Sequence, residues 1–73
     1  MAKISDIDKK NMIEAFEMAK SIEVSAVELY GQIASSPDVE QQNIKTVFKN
    51  LAGDEQRHAE IVQEIIDLID KTL

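Results

Sequence analysis

Apolar residues recur along this chain at alternating steps of four and three, the repeat of an α-helix packed along its whole length. In the N-terminal half the positions are Met12, Phe16, Ala19, Glu23, Ala26, Tyr30 and Ile33. In the C-terminal half they are Ile44, Phe48, Leu51, Glu55, His58, Val62, Ile65 and Ile69. Between the two runs stands one strong interruption, Ser35-Ser36-Pro37-Asp38. Ser36 suits a helix N-cap, Pro37 the first helical position, and Asp38 and Glu40 the positive end of the helix that follows. The pattern predicts a helix over about 6–35, capped by Ser5 or Asp6, a turn at 35–38, and a second helix over about 38–71. Each would be about 45 Å long at 1.5 Å per residue.

Both seams carry further apolar residues at their edges, Ile22 and Leu29 on the first helix, Ala52, Ala59 and Ile66 on the second. Each apolar face is therefore wider than one partner helix can cover. A chain of 73 residues also buries only about 60% of its unfolded surface. It contains no cysteine, so stabilisation is left to a metal or to association. Residues 1–73 accordingly read as one all-α domain, a two-helix antiparallel hairpin that forms a four-helix bundle by homodimerisation. The separate pair Ile61 and Leu68 is a candidate contact for a larger homo-oligomer.

Three seam positions are not apolar: Glu23, Glu55 and His58. An ionisable group on a buried stripe must be paired, coordinated or neutralised, so these residues need a reason to be there. Glu55 and His58 are three apart and share a helix face. With a pivot near residues 38 and 39, Glu23 and Glu55 each lie about sixteen residues from the turn, and the three groups converge at one level. One hairpin offers two carboxylates and one imidazole, and two hairpins offer four and two. Ferritin-like di-iron bundles use that inventory, a Glu from each of two helices and a Glu-x-x-His from each of the other two. Two divalent cations would neutralise the four carboxylates. The alternative use of such a layer is to fix bundle register, as a buried polar residue does in coiled coils.

The first of these patterns, Glu23-Val24-Ser25-Ala26-Val27-Glu28-Leu29-Tyr30, and the second, Phe48, Ala52, Glu55, His58 and Ala59, together resemble the ferritin-like half of the rubrerythrins. In its brevity the chain is also similar to the encapsulated ferritins. The resemblance implies a terminal ligand at Glu23, a bridging carboxylate at Glu55 and a terminal imidazole at His58, which would also be the catalytic residues. It further implies that the Tyr30 hydroxyl supports a ligating carboxylate by a hydrogen bond. The cofactor so implied is iron, two ions per dimer, with manganese or zinc accepting the same donors. The activity implied is oxidation of Fe(II) by dioxygen or peroxide, a ferroxidase-like oxidoreductase. Without cysteines no rubredoxin-type electron relay is expected within the chain.

The formal charge of −6 argues against nucleic acid as a partner, whose phosphates require Lys and Arg, and favours cations. No apolar run approaches the roughly 20 residues of a membrane span, and Met1-Ala2-Lys3-Ile4-Ser5 lacks a signal-peptide core, so the expected location is cytoplasmic. A second function class remains open: a non-catalytic helical dimerisation or interaction module, with a structural metal or none. Glu28 and Glu60 beside the motif read as solvated charges. Gly53, two residues before Glu55, is a candidate for close helix approach or a local bulge.

Overall fold

A computed structural model describes residues 4–73 as two antiparallel helices, α1 over Asp6–Ser35 and α2 over Gln42–Thr72, in a body of 56 × 16 × 13 Å. No strand occurs among the described residues. Ser5 caps α1, its Oγ accepting from the Asp8 N–H at 3.1 Å, and Asp6 and Asp8 place negative charge in the first turn. Lys71 sits in the last turn of α2, where positive charge is favoured. No helix among the described residues is long and apolar enough to cross a membrane. The N-terminal residues Met1 to Lys3, on which part of the signal-peptide reading rests, lie outside the described residues.

The second helix begins at Gln42, four residues later than the start expected near 38. Pro37 drives the residue before it away from helical geometry, and Ser36 is accordingly extended, with φ −68° and ψ 128°. Ser36 closes α1 by donating its N–H to the Ile33 carbonyl at 3.3 Å. Its hydroxyl accepts from the Asp38 N–H and its carbonyl from the Val39 N–H, so the Ser-Pro pair builds a turn instead of a cap. Asp38 and Glu40 are left outside α2. Gln41 gives no side-chain cap, and in the first turn Asn43 Oδ1 accepts from the Ile44 N–H at 3.0 Å.

On α1 the contact face is the sequence seam: Met12, Phe16, Ala19, Glu23, Ala26, Tyr30 and Ile33 are all half-buried. On α2 it is rotated. Ala59, Ile66 and Ile69 are the buried residues, while Leu51 and Ile44 of the expected seam stay exposed. Ala52 and Ala59, expected at the edge, lie toward the centre, because small side chains let the two backbones approach and larger neighbours step aside. The opposite edge is polar and tied by Lys20 Nζ donating to Gln63 Oε1 at 2.6 Å and Lys9 Nζ donating to the Asp70 carbonyl at 3.0 Å.

The rotation leaves one face open. Ala15, Ile22 and Leu29 on α1 each stand immediately before a contact residue, and so do Ile44, Leu51, His58 and Ile65 on α2. One residue turns a helix by about 100°, and in antiparallel right-handed helices stepping back from the contact line turns both to the same side. These positions therefore lie toward one broad side of the hairpin, and among the seven named His58 is the sole polar residue. Ile22 is 66% exposed and Leu29 53%.

Gly31 and Gly53 lie within unbroken helix, and a Cβ at either would meet nothing within 4 Å. Within the hairpin Gly53 thus serves neither close approach nor a bulge. Gly53→Ala is predicted to stabilise the protein by about 1 kcal/mol, the helix-propensity difference. Urea unfolding at fixed protein concentration checks this; an unchanged or lowered midpoint would assign Gly53 a contact outside the hairpin.

Candidate metal centre

Glu23 lies near the middle of α1, and Glu55 and His58 near the middle of α2. Because the helices run antiparallel from a short loop, all three reach the same level. One ligand atom from each lies within 4.8 Å of the others. His58 Nδ1 stands 3.8 Å from Glu23 Oε2 and 3.8 Å from Glu55 Oε2. Both separations are too long for hydrogen bonds. They match a shared ion instead, since donors each about 2.1 Å from one cation are at most about 4.2 Å apart. Any separation in the group wider than that needs to close by no more than about 0.6 Å, within the reach of a carboxylate rotamer.

The burial is graded across the centre. The Glu23 and Glu55 side chains are 26% and 24% exposed, the His58 ring 55%. Glu23 Oε2 is enclosed and has no hydrogen-bond partner. A buried, unpartnered carboxylate oxygen beside a second carboxylate is costly in the protein alone, and the donor set fits a divalent cation that would meet the need. The most exposed donor, His58, opens onto the apolar face.

Residues 14–73 match the family model described as Rubrerythrin. The chain belongs to the rubrerythrin family. Rubrerythrins are ferritin-like di-iron proteins, and this chain's carboxylate-imidazole group lies inside the matched region. No curated protein and no solved structure matches the chain.

In this rubrerythrin-family hairpin Tyr30 lies two turns beyond Glu23, its ring tilted 51° against Phe48 with centroids 5.8 Å apart. That packing fixes the ring's place in the core. Glu28 and Glu60 are exposed, as is usual for charges beside a seam. A shallow cleft of about 570 Å³ lies away from the centre on the polar edge, lined by Glu17, Lys20, Ser21, Val24, Ser25 and Gln63. It holds no imidazole and pairs its lysine with Gln63, so it offers no competing metal chemistry.

Removing the charge from Glu23 should have opposite effects with and without metal. In chelator, Glu23→Gln is predicted to stabilise the protein by about 1 kcal/mol, because the enclosed atom no longer carries charge beside Glu55. In excess divalent metal the same variant should melt below the parent. Thermal unfolding under both conditions tests this; a shift of the same sign in both would show that Glu23 is not held as an ion there.

Proposed function

We propose that two copies of this chain pair on their open faces and complete a di-iron centre that oxidises Fe(II). The observation that carries this reading is the convergence of Glu23, Glu55 and His58 at the edge of an open apolar face, with one carboxylate oxygen enclosed and unpartnered. A single hairpin supplies too few donors to surround an ion without several waters. Two supply four carboxylates and two imidazoles, whose charge balances two divalent cations.

In this reading Glu23 and His58 are terminal donors, Glu55 bridges the two ions, and the Tyr30 hydroxyl hydrogen-bonds a ligating carboxylate. The apolar residues Ile22, Leu29, Leu51 and Ile65 exclude water around the centre once paired. Donors rich in oxygen with one imidazole per ion suit iron or manganese, and zinc accepts the same set. Iron is here the substrate. Two Fe(II) ions give up one electron each; dioxygen takes both with two protons to become hydrogen peroxide, or hydrogen peroxide takes both with two protons to become two waters. A cytoplasmic setting, where Fe(II) is supplied reduced, is part of the same proposal.

Anaerobic titration should take up one Fe(II) per chain, and admitting air should produce a ferric absorbance band. Glu55→Gln is expected to slow oxidation by more than about 100-fold, beyond the loss caused by removing an outer-shell partner. Should that variant dimerise, melt and oxidise iron as the parent does, the layer carries no chemistry and the hairpin is an interaction module. Elemental analysis of protein purified without added metal separates iron from manganese or zinc.

A further inference from the structure

The side of α2 turned away from α1 carries a second patterned stripe. Ile61 and Leu68 stand two residues past the buried Ala59 and Ile66, and two residues turn a helix by about 200°. They are accordingly 46% and 60% exposed. The matching positions on α1, two past Met12, Ala19 and Ala26, are Glu14, Ser21 and Glu28, an ordinary polar back. On α2 the stripe runs at steps of three and four through Asp54, Arg57, Ile61, Glu64, Leu68 and Lys71, all exposed. That is the spacing of a helix seam on a side where the hairpin itself packs nothing. Single exposed aliphatic residues are common, but two of them one heptad apart, flanked by charges of alternating sign, have the form of a helix contact.

The order of the charges selects the occupant. Along the helix they run negative at Asp54, positive at Arg57, negative at Glu64 and positive at Lys71. Lay a second copy of α2 antiparallel on the stripe, about a two-fold axis level with the junction of Val62 and Gln63. Asp54 then faces the partner's Lys71, Arg57 faces the partner's Leu68, and Ile61 faces the partner's Glu64. Arg57 also comes within one turn of the partner's Glu64, and Ile61 and Leu68 of both copies line up as one apolar row. A parallel pairing would instead set every charge against its like. Within the hairpin Arg57 meets Asp54 at 3.5 Å with both side chains exposed, so the guanidinium has donors to spare for a further carboxylate. We propose that this stripe is a second self-association surface, on which two copies pack α2 against α2 antiparallel without metal. It contains none of Glu23, Glu55 and His58, and it does not rest on the shared-centre reading. The apolar row supplies the attraction, while exposed ion pairs add little affinity but fix orientation. Joined to pairing on the open face, this contact extends a dimer to a larger homo-oligomer.

The chain contains no cysteine, so a single introduced one reports a single contact. In the proposed pairing residue 61 lies three residues from its own equivalent, about 4.5 Å along the axis, whereas residue 68 lies eleven away, about 16 Å. Ile61→Cys should therefore link copy to copy through a short bis-maleimide, with chelator present or absent, while Leu68→Cys and Glu28→Cys should not. In sedimentation at equilibrium Ile61→Lys should at least halve the mass of the parent assembly under either condition. It should keep its helical circular dichroism and take up Fe(II) per chain as the parent does. If it loses helicity, Ile61→Ala gives the same comparison with a smaller change. Linking at Leu68 as efficient as at Ile61 would overturn the antiparallel contact. No link at Ile61, or an unchanged mass in a helical variant, would overturn self-association on this stripe and leave it to a different protein. A parent that takes up no Fe(II) would overturn the shared centre and leave this contact standing.

Discussion

Two carboxylates share the contact layer of this hairpin, and one of their oxygens is enclosed without a hydrogen-bond partner. That is the constraint around which the molecule is arranged. An apolar side chain at either position would pack the two helices more favourably, since a buried ionised group must recover its lost hydration from some partner. His58 stands beside both carboxylates but beyond hydrogen-bond range, and it is itself half open to solvent. What the layer lacks is positive charge. The antiparallel hairpin is the simplest frame that brings positions 23, 55 and 58 to one level, and the length of the helices on either side of them keeps that level fixed.

The same arrangement explains why the internal core is so thin. Ala59, Ile66 and Ile69 are the buried residues of the described chain, and none of the large side chains is fully enclosed. Small residues at Ala52 and Ala59 draw the helices together on one line, and the bulky aliphatic residues one position earlier are turned outward. A hairpin stabilised mainly by its own contacts would place Leu51 and Ile44 on that line. Here they lie on a face that also carries the exposed Ile22 and Leu29. The helix contact and the open face thus use neighbouring stripes of the same helices.

That division marks the limit of what was legible in the sequence. The steps of four and three gave the two long helices, and on α1 the spacing from Met12 to Ile33 coincides with the half-buried face. On α2 the spacing could not say which of two adjacent apolar stripes turns inward, because both are apolar and periodicity records amphipathicity, not the identity of the neighbour. The start of α2 departs from the pattern for a local reason. Ser36-Pro37-Asp38 has the composition of an N-cap, yet the same serine hydroxyl accepts equally well from the N–H two residues on, and the extended geometry before proline favours that turn. The centre itself was readable because charge on a seam is a strong signal, and because three-residue spacing on one helix and equal distance from a turn are both properties of sequence.

Rubrerythrin-family membership and the donor geometry point the same way, but they bear on different properties of the protein. Membership, over residues 14–73, gives the di-iron class of the protein. The geometry adds that one copy brings together two carboxylates and one imidazole, with no fourth His, Cys, Asp or Glu in the group among the described residues. Larger ferritin-like chains can meet that need with a second helix pair in the same chain, so their metal affinity is a property of one folded unit. In the proposed dimer of hairpins the further donors would come from a second molecule, and affinity for iron would then depend on protein concentration as well as on the ligands. The polar edge, tied by Lys20 to Gln63, has no such incompleteness. Pairing as proposed would use the face that bears His58, so that completing the centre and burying the apolar surface would be one event.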